Sequence, residues 1–230
     1  MAFGASSKYI GSQKTVASNV ITADAQSRTS WLDNGSIDLR TAGALYAAWT
    51  RTLAGGATAV HSDSDWSTAL NADTAPNDAV TLISKTGPKY AGGSSSINVK
   101  MRINISVAAP AQSLFYAGFS NAAGTIKARV ENTALDTVRL VCANGGAATN
   151  GTPFEYGGGY LEIRIYYAAG NPSYCEVWAP NLTTGVLEKK DTITSNVPGS
   201  GALYAFIYIK NVAANINATL EDVCVYTIPS

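Results

Sequence analysis

The chain has 230 residues, enough for one large domain whose hydrophobic core needs neither disulfides nor metals. Charged residues make up only 14% of it, and 16 basic residues balance 16 acidic ones, so neither nucleic acid nor an acidic membrane is an expected partner. No apolar run reaches the roughly 18 residues of a membrane span, and residues 1–10 lack the basic and apolar regions of a secretory signal.

The amino-terminal part shows the least regular pattern. We predict that residues 1–50 form an attachment arm and residues 51–230 the folded domain, since residues 1–36 are rich in Gly, Ser and Thr. Between Ile37 and Leu53 the pattern fits either a short helix or a strand, because the alanines favour a helix and a glycine opposes a long one. A strand is predicted from Val80 to Ile83.

The same region contains residue types that metal sites and active sites use. Asp63, Asp65, Asp73 and Asp78 could supply calcium ligands, but they lack the spacing and glycine of a calcium loop, which favours a turn-rich loop instead. His61 is the only histidine and belongs to no pattern that supplies the geometry of a catalytic triad. We therefore expect no metal, no cofactor and no catalytic residue.

The cysteines give no sign of a metal site either. Cys142, Cys175 and Cys224 are widely spaced and form no CxxC pair, which argues against a structural zinc site. We predict three reduced thiols that are at least partly buried.

From Ile97 onward, apolar and polar residues alternate. The run Ile97–Val107 places six apolar side chains on one face and polar ones on the other, which is typical of a strand. Shorter runs of the same kind, separated by turns, predict an all-β fold in which two antiparallel sheets form a jelly-roll sandwich. These runs are 114–119, 126–130, 138–142, 160–167, 174–178, 203–209 and 218–228, with a loop at 144–151.

Runs 160–167 and 174–178 predict a hairpin with an unusual outer face. Antiparallel pairing would place Tyr166 beside Tyr174, Arg164 beside Glu176 and Glu162 beside Trp178. If run 203–209 lies in the same sheet, that sheet has one broad aromatic outer face. The predicted ligand or interface residues are Tyr160, Glu162, Arg164, Tyr166, Tyr174, Glu176, Trp178, Tyr204, Phe206 and Tyr208.

Three interpretations of this aromatic face remain open. It could be a glycan platform, a surface covered by the arm or a neighbouring subunit, or ordinary half-buried sheet. Covering is favoured, because large exposed apolar patches are rare on free monomers. A glycosidase with Glu162 and Glu176 as its carboxylates is disfavoured, because a neighbouring Arg164 would keep Glu176 ionised.

Three segments of the chain resemble a known fold group. They are Phe115–Phe119, Tyr160–Ile165 leading to Glu176-Val-Trp178, and Leu220–Tyr226. They are similar to strands of the concanavalin-like jelly-roll sandwiches, the lectin and laminin-G-like group. The resemblance implies that fold from Ile97 onward. It implies no hydrolysis, since Glu162 stands where glycosidases of the group have several alternating carboxylates.

The composition as a whole, with its low charge and its Ala-, Gly-, Ser-, Thr- and Asn-rich arm, resembles that of tailed-phage virion proteins. That resemblance implies a non-enzymatic capsid decoration, head-fibre or tail component, assembled in the host cytoplasm and located in the virion. Its partners would be copies of itself and other virion proteins, with surface adhesion as an added role. The alternative is a carbohydrate-binding lectin-like module that recognises a host or environmental glycan through the aromatic face or the loops near residues 144–156.

Overall fold

A computed structural model describes residues 49–62, 67–84, 94–168, 171–199 and 203–229. These residues form fifteen strands and no helix. The strands are β1 (Trp49–Ala54), β2 (Thr58–Ser62), β3 (Ser67–Asn71), β4 (Ala79–Ser84), β5 (Ser94–Ile105), β6 (Ser113–Ser120), β7 (Ile126–Ala134), β8 (Thr137–Asn144), β9 (Ala148–Asn150), β10 (Phe154–Glu155), β11 (Gly159–Ala168), β12 (Asn171–Pro180), β13 (Leu187–Ile193), β14 (Tyr204–Asn211) and β15 (Asn217–Pro229).

The strands form two antiparallel sheets that pack as a sandwich. Sheet A has the order β1-β4-β14-β6-β7-β8-β10, with β9 paired to β8, and sheet B has the order β13-β12-β11-β5-β15-β3-β2. Several neighbours within a sheet are distant in sequence, and β14, for example, lies between β4 and β6. The predicted all-β sandwich is confirmed. In the part of the chain that the structure describes, no helix is long and apolar enough to cross a membrane.

Alternation of side chains builds the core between the sheets. On β5 the side chains from Ile97 to Ile105 that share one face are at most 5% exposed, while Arg102 on the other face is exposed. Tyr156 packs in the core against Phe115, with parallel rings 6.3 Å apart, and its hydroxyl donates to the carbonyl of Gly159 (3.0 Å). Pairing the one polar atom of a buried tyrosine in this way avoids a desolvation penalty.

The three cysteines are free and buried, as the sequence predicts. Cys142 on β8 and Cys175 on β12 come from opposite sheets and meet in the core. Burial raises the pKa of the Cys175 thiol, and the neighbouring Cys142 thiol raises it further. The Cys175 thiol therefore behaves as a small core side chain rather than as a nucleophile.

Several predicted elements differ from the observed ones. The helix-or-strand alternative is settled as a strand at Trp49–Leu53, while residues 1–48, including most of the predicted arm, lie outside the described residues. The predicted loop at 144–151 contains the short strand β9, which pairs with β8. Strands β2, β3 and β13 have no counterpart among the predicted strands.

Candidate functional site

The β11–β12 hairpin has the predicted register. Arg164 pairs with Glu176, Glu162 with Trp178, and Tyr166 with Tyr174. The Tyr166 and Tyr174 rings stack with centroids 4.4 Å apart and an interplanar angle of 20°. We call the outer surface of β5, β11, β12 and β15 face B. Face B contains seven of the ten predicted site residues; whether they bind anything stays a prediction.

A buried carboxylate lies at the centre of face B. Glu162 is 2% exposed and accepts two hydrogen bonds from Arg164, Nε to Oε1 at 2.9 Å and a terminal nitrogen to Oε2 at 3.1 Å. The Tyr226 hydroxyl also donates to Glu162 Oε1. Burial opposes the charge on Arg164, but the hydrogen bonds and charge of Glu162 prevail and raise the pKa of the guanidinium.

This ion pair corrects the predicted partner of Arg164. The sequence predicts Glu176, its neighbour across the hairpin, as that partner. The structure instead pairs it with Glu162, two residues earlier on the same strand and on the same face. Glu176 accepts from the Trp178 indole (3.0 Å) and from Lys189 Nζ (3.2 Å). Cross-strand position limits the partners of a long arginine side chain without selecting one.

The rings of face B are engaged by cations. The Arg164 guanidinium lies over the Trp178 ring, 4.4 Å from its centroid. Tyr160 is 37% exposed at the edge of the face, with Lys100 Nζ 5.1 Å and Arg102 5.7 Å from its ring centroid. Such contacts hold cations in place and reduce the hydration that they require. All four carboxylate oxygens of the two buried glutamates already have donors. Face B therefore presents rings and paired charges with few free acceptors.

The structure corrects the prediction of a single aromatic face. Tyr204, Phe206 and Tyr208 lie on β14, which belongs to sheet A, whereas β11 and β12 belong to sheet B. Alternation assigns a side chain to a face of its own strand, but the sheet that the strand joins depends on pairing between distant segments, here β4 and β6. The ten predicted residues are therefore divided between opposite outer surfaces.

We call the outer surface of β14, β6 and β7 face A. Its centre is Arg129, which is 7% exposed and lies 4.3 Å from the Tyr116 ring centroid and 5.0 Å from that of Phe206. Tyr116 also stacks on Tyr208, with centroids 5.4 Å apart. Glu131 bonds both Arg129 (2.9 Å) and Lys127 (2.8 Å). The buried charge of face A is therefore a cation, whereas the buried charge of face B is a carboxylate.

An open groove of about 430 Å³ lies at the edge of the sandwich. Its walls are residues 149–153 and 191–195, which carry mostly hydroxyl and amide groups. Asp191 Oδ2 accepts from the main-chain N–H of Thr152 (2.8 Å), and Asn196 Nδ2 donates to the Thr149 hydroxyl (2.9 Å). One side of this groove lies in the 144–156 loops, which the sequence predicts as a possible glycan contact. The other side follows β13, a strand that the sequence does not predict.

Other candidate residues lie partly outside the part of the chain that the structure describes. The side chain of His61 and residues 63–66, which include Asp63 and Asp65, are not among the described parts of the chain. Asp73 and Asp78 are described and lie in the connection between β3 and β4. Within the described ranges, no three His, Cys, Asp or Glu side chains are grouped as metal ligands.

The comparisons with known proteins support the fold. No protein-family model matches the sequence, and neither does any curated protein. Among solved structures, the chain is similar to a protein of unknown function from Shewanella oneidensis MR-1, with a TM-score of 0.52 and 10% identity over 83% of this chain and 81% of that one. At this identity the likeness shows the β-sandwich fold alone.

Two further solved structures are similar over part of their length. One is the binding domain of botulinum neurotoxin DC in complex with SialylT, with a TM-score of 0.46 and 11% identity over 77% of this chain. Another is a structure of botulinum neurotoxin type C, a toxin whose cell entry is dependent upon interaction with two ganglioside molecules. Its TM-score is 0.46, with 10% identity over 77% of this chain. The present chain spans 43% of each.

Proposed function

We propose that this protein is a non-enzymatic assembly protein that associates with copies of itself through face B. One observation carries the proposal. The buried carboxylates of face B are fully hydrogen-bonded within the chain, while its rings remain partly exposed. A surface of this kind can be covered by another protein without leaving unpaired charges, and aromatic and arginine side chains are enriched at such interfaces.

The electrostatics of the chain favour self-association as well. The formal net charge is zero, so two copies meet without net repulsion. At the edge of face B, Arg102 bonds the carboxylate of Glu221 at 3.0 Å, and the Lys100 ammonium lies over the Tyr160 ring. Charges of both signs at the rim allow one copy to match another in a symmetric contact.

The proposed setting is a phage particle, in which the protein is a capsid decoration, head-fibre or tail component. Support for this setting comes from the low charge and the Ala-, Gly-, Ser-, Thr- and Asn-rich composition. On a symmetric particle, repetition makes individually weak contacts strong collectively. Immunogold electron microscopy of purified particles with an antibody against this chain tests the setting: labelled particles are expected, and unlabelled ones would exclude it.

Analytical ultracentrifugation of the full chain tests the self-association. We expect a concentration-dependent oligomer whose dissociation constant rises at least about tenfold in Tyr160→Glu, which removes an exposed ring of face B and adds a carboxylate that association must desolvate. The matched control is Leu182→Glu, since Leu182 is an exposed apolar residue outside both faces. A monomer at every concentration, or equal weakening by the two variants, would contradict association through face B.

A second candidate function, glycan binding, is favoured by the polar groove. Hydroxyl, amide and carboxylate groups such as those of Thr149, Asn150 and Asp191 bond sugar hydroxyls, and an open groove admits a branched chain. Face B is a poorer sugar site, because every oxygen of its two buried carboxylates already accepts a hydrogen bond.

A glycan-array screen followed by calorimetry shows whether a sugar binds in the groove or on face B. Binding in the groove should be lost in Asp191→Ala and retained in Trp178→Ala, whereas binding on face B should show the reverse. Saturable binding that neither variant affects would exclude both locations, and no binding by the wild type would remove the glycan candidate. Both outcomes leave the assembly proposal untouched.

A further inference from the structure

Three separate segments meet at one end of the sandwich. They are the β1–β2 turn at Gly55-Gly56, the β3–β4 connection with Asp73 and Asp78, and Asn211 at the end of β14. The main-chain N–H of Asn211 donates to the carbonyl of Asp78 (2.9 Å), and its Nδ2 donates to the carbonyl of Asp73 (2.7 Å). The β3–β4 connection is thereby held at a fixed position against β14.

Two carboxylates converge on the glycine turn. A Cβ on Gly56 would overlap Asp73 Oδ2 and would lie 3.4 Å from Asp78 Oδ2. A Cβ on Gly55 would overlap Asp78 Oδ1, and Gly55 has a φ of +64°, which glycine adopts without strain. Because Gly55 and Gly56 have no side chains, the carboxylates of Asp73 and Asp78 both fit beside the turn.

No positive side chain balances this pair of charges. Within the described residues, neither Asp73 nor Asp78 takes part in a salt bridge, although Asp78 is only 6% exposed. Asp78 Oδ2 accepts from the N–H of Gly56 (3.1 Å), and Asp73 Oδ1 accepts from that of Thr74 (2.7 Å). The remaining oxygens, Asp78 Oδ1 and Asp73 Oδ2, accept no hydrogen bond from the described residues. Two negative charges thus share the space beside Gly56, which is the kind of arrangement that binds a hard cation.

A buried amide oxygen supplies an independent sign of a missing partner. Asn211 is 1% exposed, and its Oδ1 has no hydrogen-bond donor among the described residues. Leaving such an atom unpaired costs about 1–3 kcal/mol. Asn211 lies opposite Asp78 in the antiparallel register, and both side chains point to the same face as the core residues Ile209 and Val80 two positions away, so the unpaired oxygen lies on the same side of the sheet as the Asp78 carboxylate.

We propose that this cluster binds one Ca²⁺ ion, with Asp73 Oδ2, Asp78 Oδ1 and Asn211 Oδ1 as protein ligands. Calcium prefers hard oxygen ligands and accepts irregular geometry that includes carbonyl oxygens and water. Its charge of two balances the two carboxylates, and its binding satisfies the amide oxygen. The ion would fasten the β3–β4 connection to the end of β14, and the β1–β2 turn is joined to the same site by the hydrogen bond from the N–H of Gly56 to Asp78 Oδ2. The site adds a metal dependence that the assembly proposal does not require.

Calorimetric titration of the chelator-treated full chain with CaCl₂ in 150 mM KCl, about physiological ionic strength, tests the site. We expect one ion bound per chain and a rise in melting temperature on adding CaCl₂. Asp73→Asn should weaken binding at least about tenfold, because it removes a charged ligand. Asparagine tolerates the positive φ of +59° at this position, so the variant keeps the backbone.

The matched control is Asp136→Asn, which changes another aspartate of positive φ (+51°) outside the cluster. It should bind Ca²⁺ as the wild type does. Absence of both heat and a melting shift in the wild type would overturn the proposal. So would equal affinities of Asp73→Asn and the wild type, or a larger stabilisation by MgCl₂ than by CaCl₂.

Discussion

Faces A and B combine the same side-chain types in opposite ways. Face B buries a carboxylate, Glu162 (2% exposed), beneath the partly exposed side chain of Arg164. Face A buries a guanidinium, Arg129 (7% exposed), beside the less buried Glu131. In each case the buried charge is neutralised by a partner closer to solvent.

The two buried charges differ in what else can stabilise them. A guanidinium can lie against aromatic rings, and Arg129 has Tyr116 and Phe206 beside it. Ring faces repel an anion, so Glu162 depends on the donors from Arg164 and Tyr226. Face B should therefore tolerate the loss of a partner less well than face A. Four predictions examine this difference, beginning with the largest effect.

Arg164→Met removes the partner of a buried carboxylate. We expect a loss of about 3 kcal/mol in unfolding free energy, because Glu162 is left buried with only the Tyr226 hydroxyl as a donor. Urea denaturation followed by tryptophan fluorescence measures it. The control is Arg102→Met, which breaks a pair between an exposed arginine and the half-exposed Glu221, and which should cost less than about 1 kcal/mol. Equal costs would mean that burial of the carboxylate is energetically unimportant.

Gly118→Ala tests how closely sheet A packs against sheet B beneath face A. Gly118 lies between Arg129 and Phe206 in the sheet register. It has a φ of +143°, and a Cβ there would overlap Ile163 of the opposite sheet and lie 2.7 Å from the carbonyl oxygen of Ala128. We expect a loss of about 2–3 kcal/mol from crowding and backbone strain.

Gly146→Ala is the control for the glycine replacement. A Cβ on Gly146 would have no neighbour within 4 Å, and its φ is not in the positive range. Its unfolding free energy should stay within about 0.5 kcal/mol of the wild type. A stable Gly118→Ala protein would show that the two sheets can move apart locally, which the close packing of protein cores disfavours.

The sequence predicts those parts of this structure that depend on local pattern. The alternation from Ile97 to Val107 identifies β5, because each side chain's direction follows from its position in the strand. The register of the β11–β12 hairpin also follows from the sequence, since a short turn leaves few alternatives. Both faces of that hairpin were therefore predictable.

The parts that the sequence does not predict depend on contacts between distant segments. Run Leu187–Ile193 has polar residues at most positions, since β13 is an edge strand, and it shows no clear alternation. Lys189, the partner of Glu176, was missed for this reason. The sheet assignment of β14 and the meeting of Asp78 with Gly55 likewise depend on tertiary packing that periodicity does not record.

Arg129→Met replaces the buried cation of face A with an apolar side chain of similar length. We expect a change of less than about 1 kcal/mol, because methionine packs well against Tyr116 and Phe206 and leaves Glu131 paired with Lys127. Urea denaturation measures this change, with Arg164→Met beside it as the contrasting substitution on face B. A loss as large as that of Arg164→Met would mean that the two faces do not differ as proposed.

The smallest effect concerns the pH dependence of face A. Burial alone would raise the pKa of Glu131, but the hydrogen bond from Lys127 and the charges of Arg129 and Lys127 outweigh it and hold the pKa below its ordinary value. A carboxyl whose pKa is lower in the folded state stabilises the fold above its unfolded pKa of about 4.3. That contribution is lost as the pH falls through the folded pKa.

The difference in melting temperature between the wild type and Glu131→Gln should accordingly be largest near pH 7 and shrink as the pH falls below about 4. Lys127→Gln, which keeps the carboxyl but removes one donor, should reproduce part of this trend. Because the cluster is partly solvated, the difference should also decrease when salt is added at pH 7. A difference that stays constant or widens at pH 3, well under the ordinary glutamate pKa of about 4.3, would show that Glu131 acts through packing rather than through its charge.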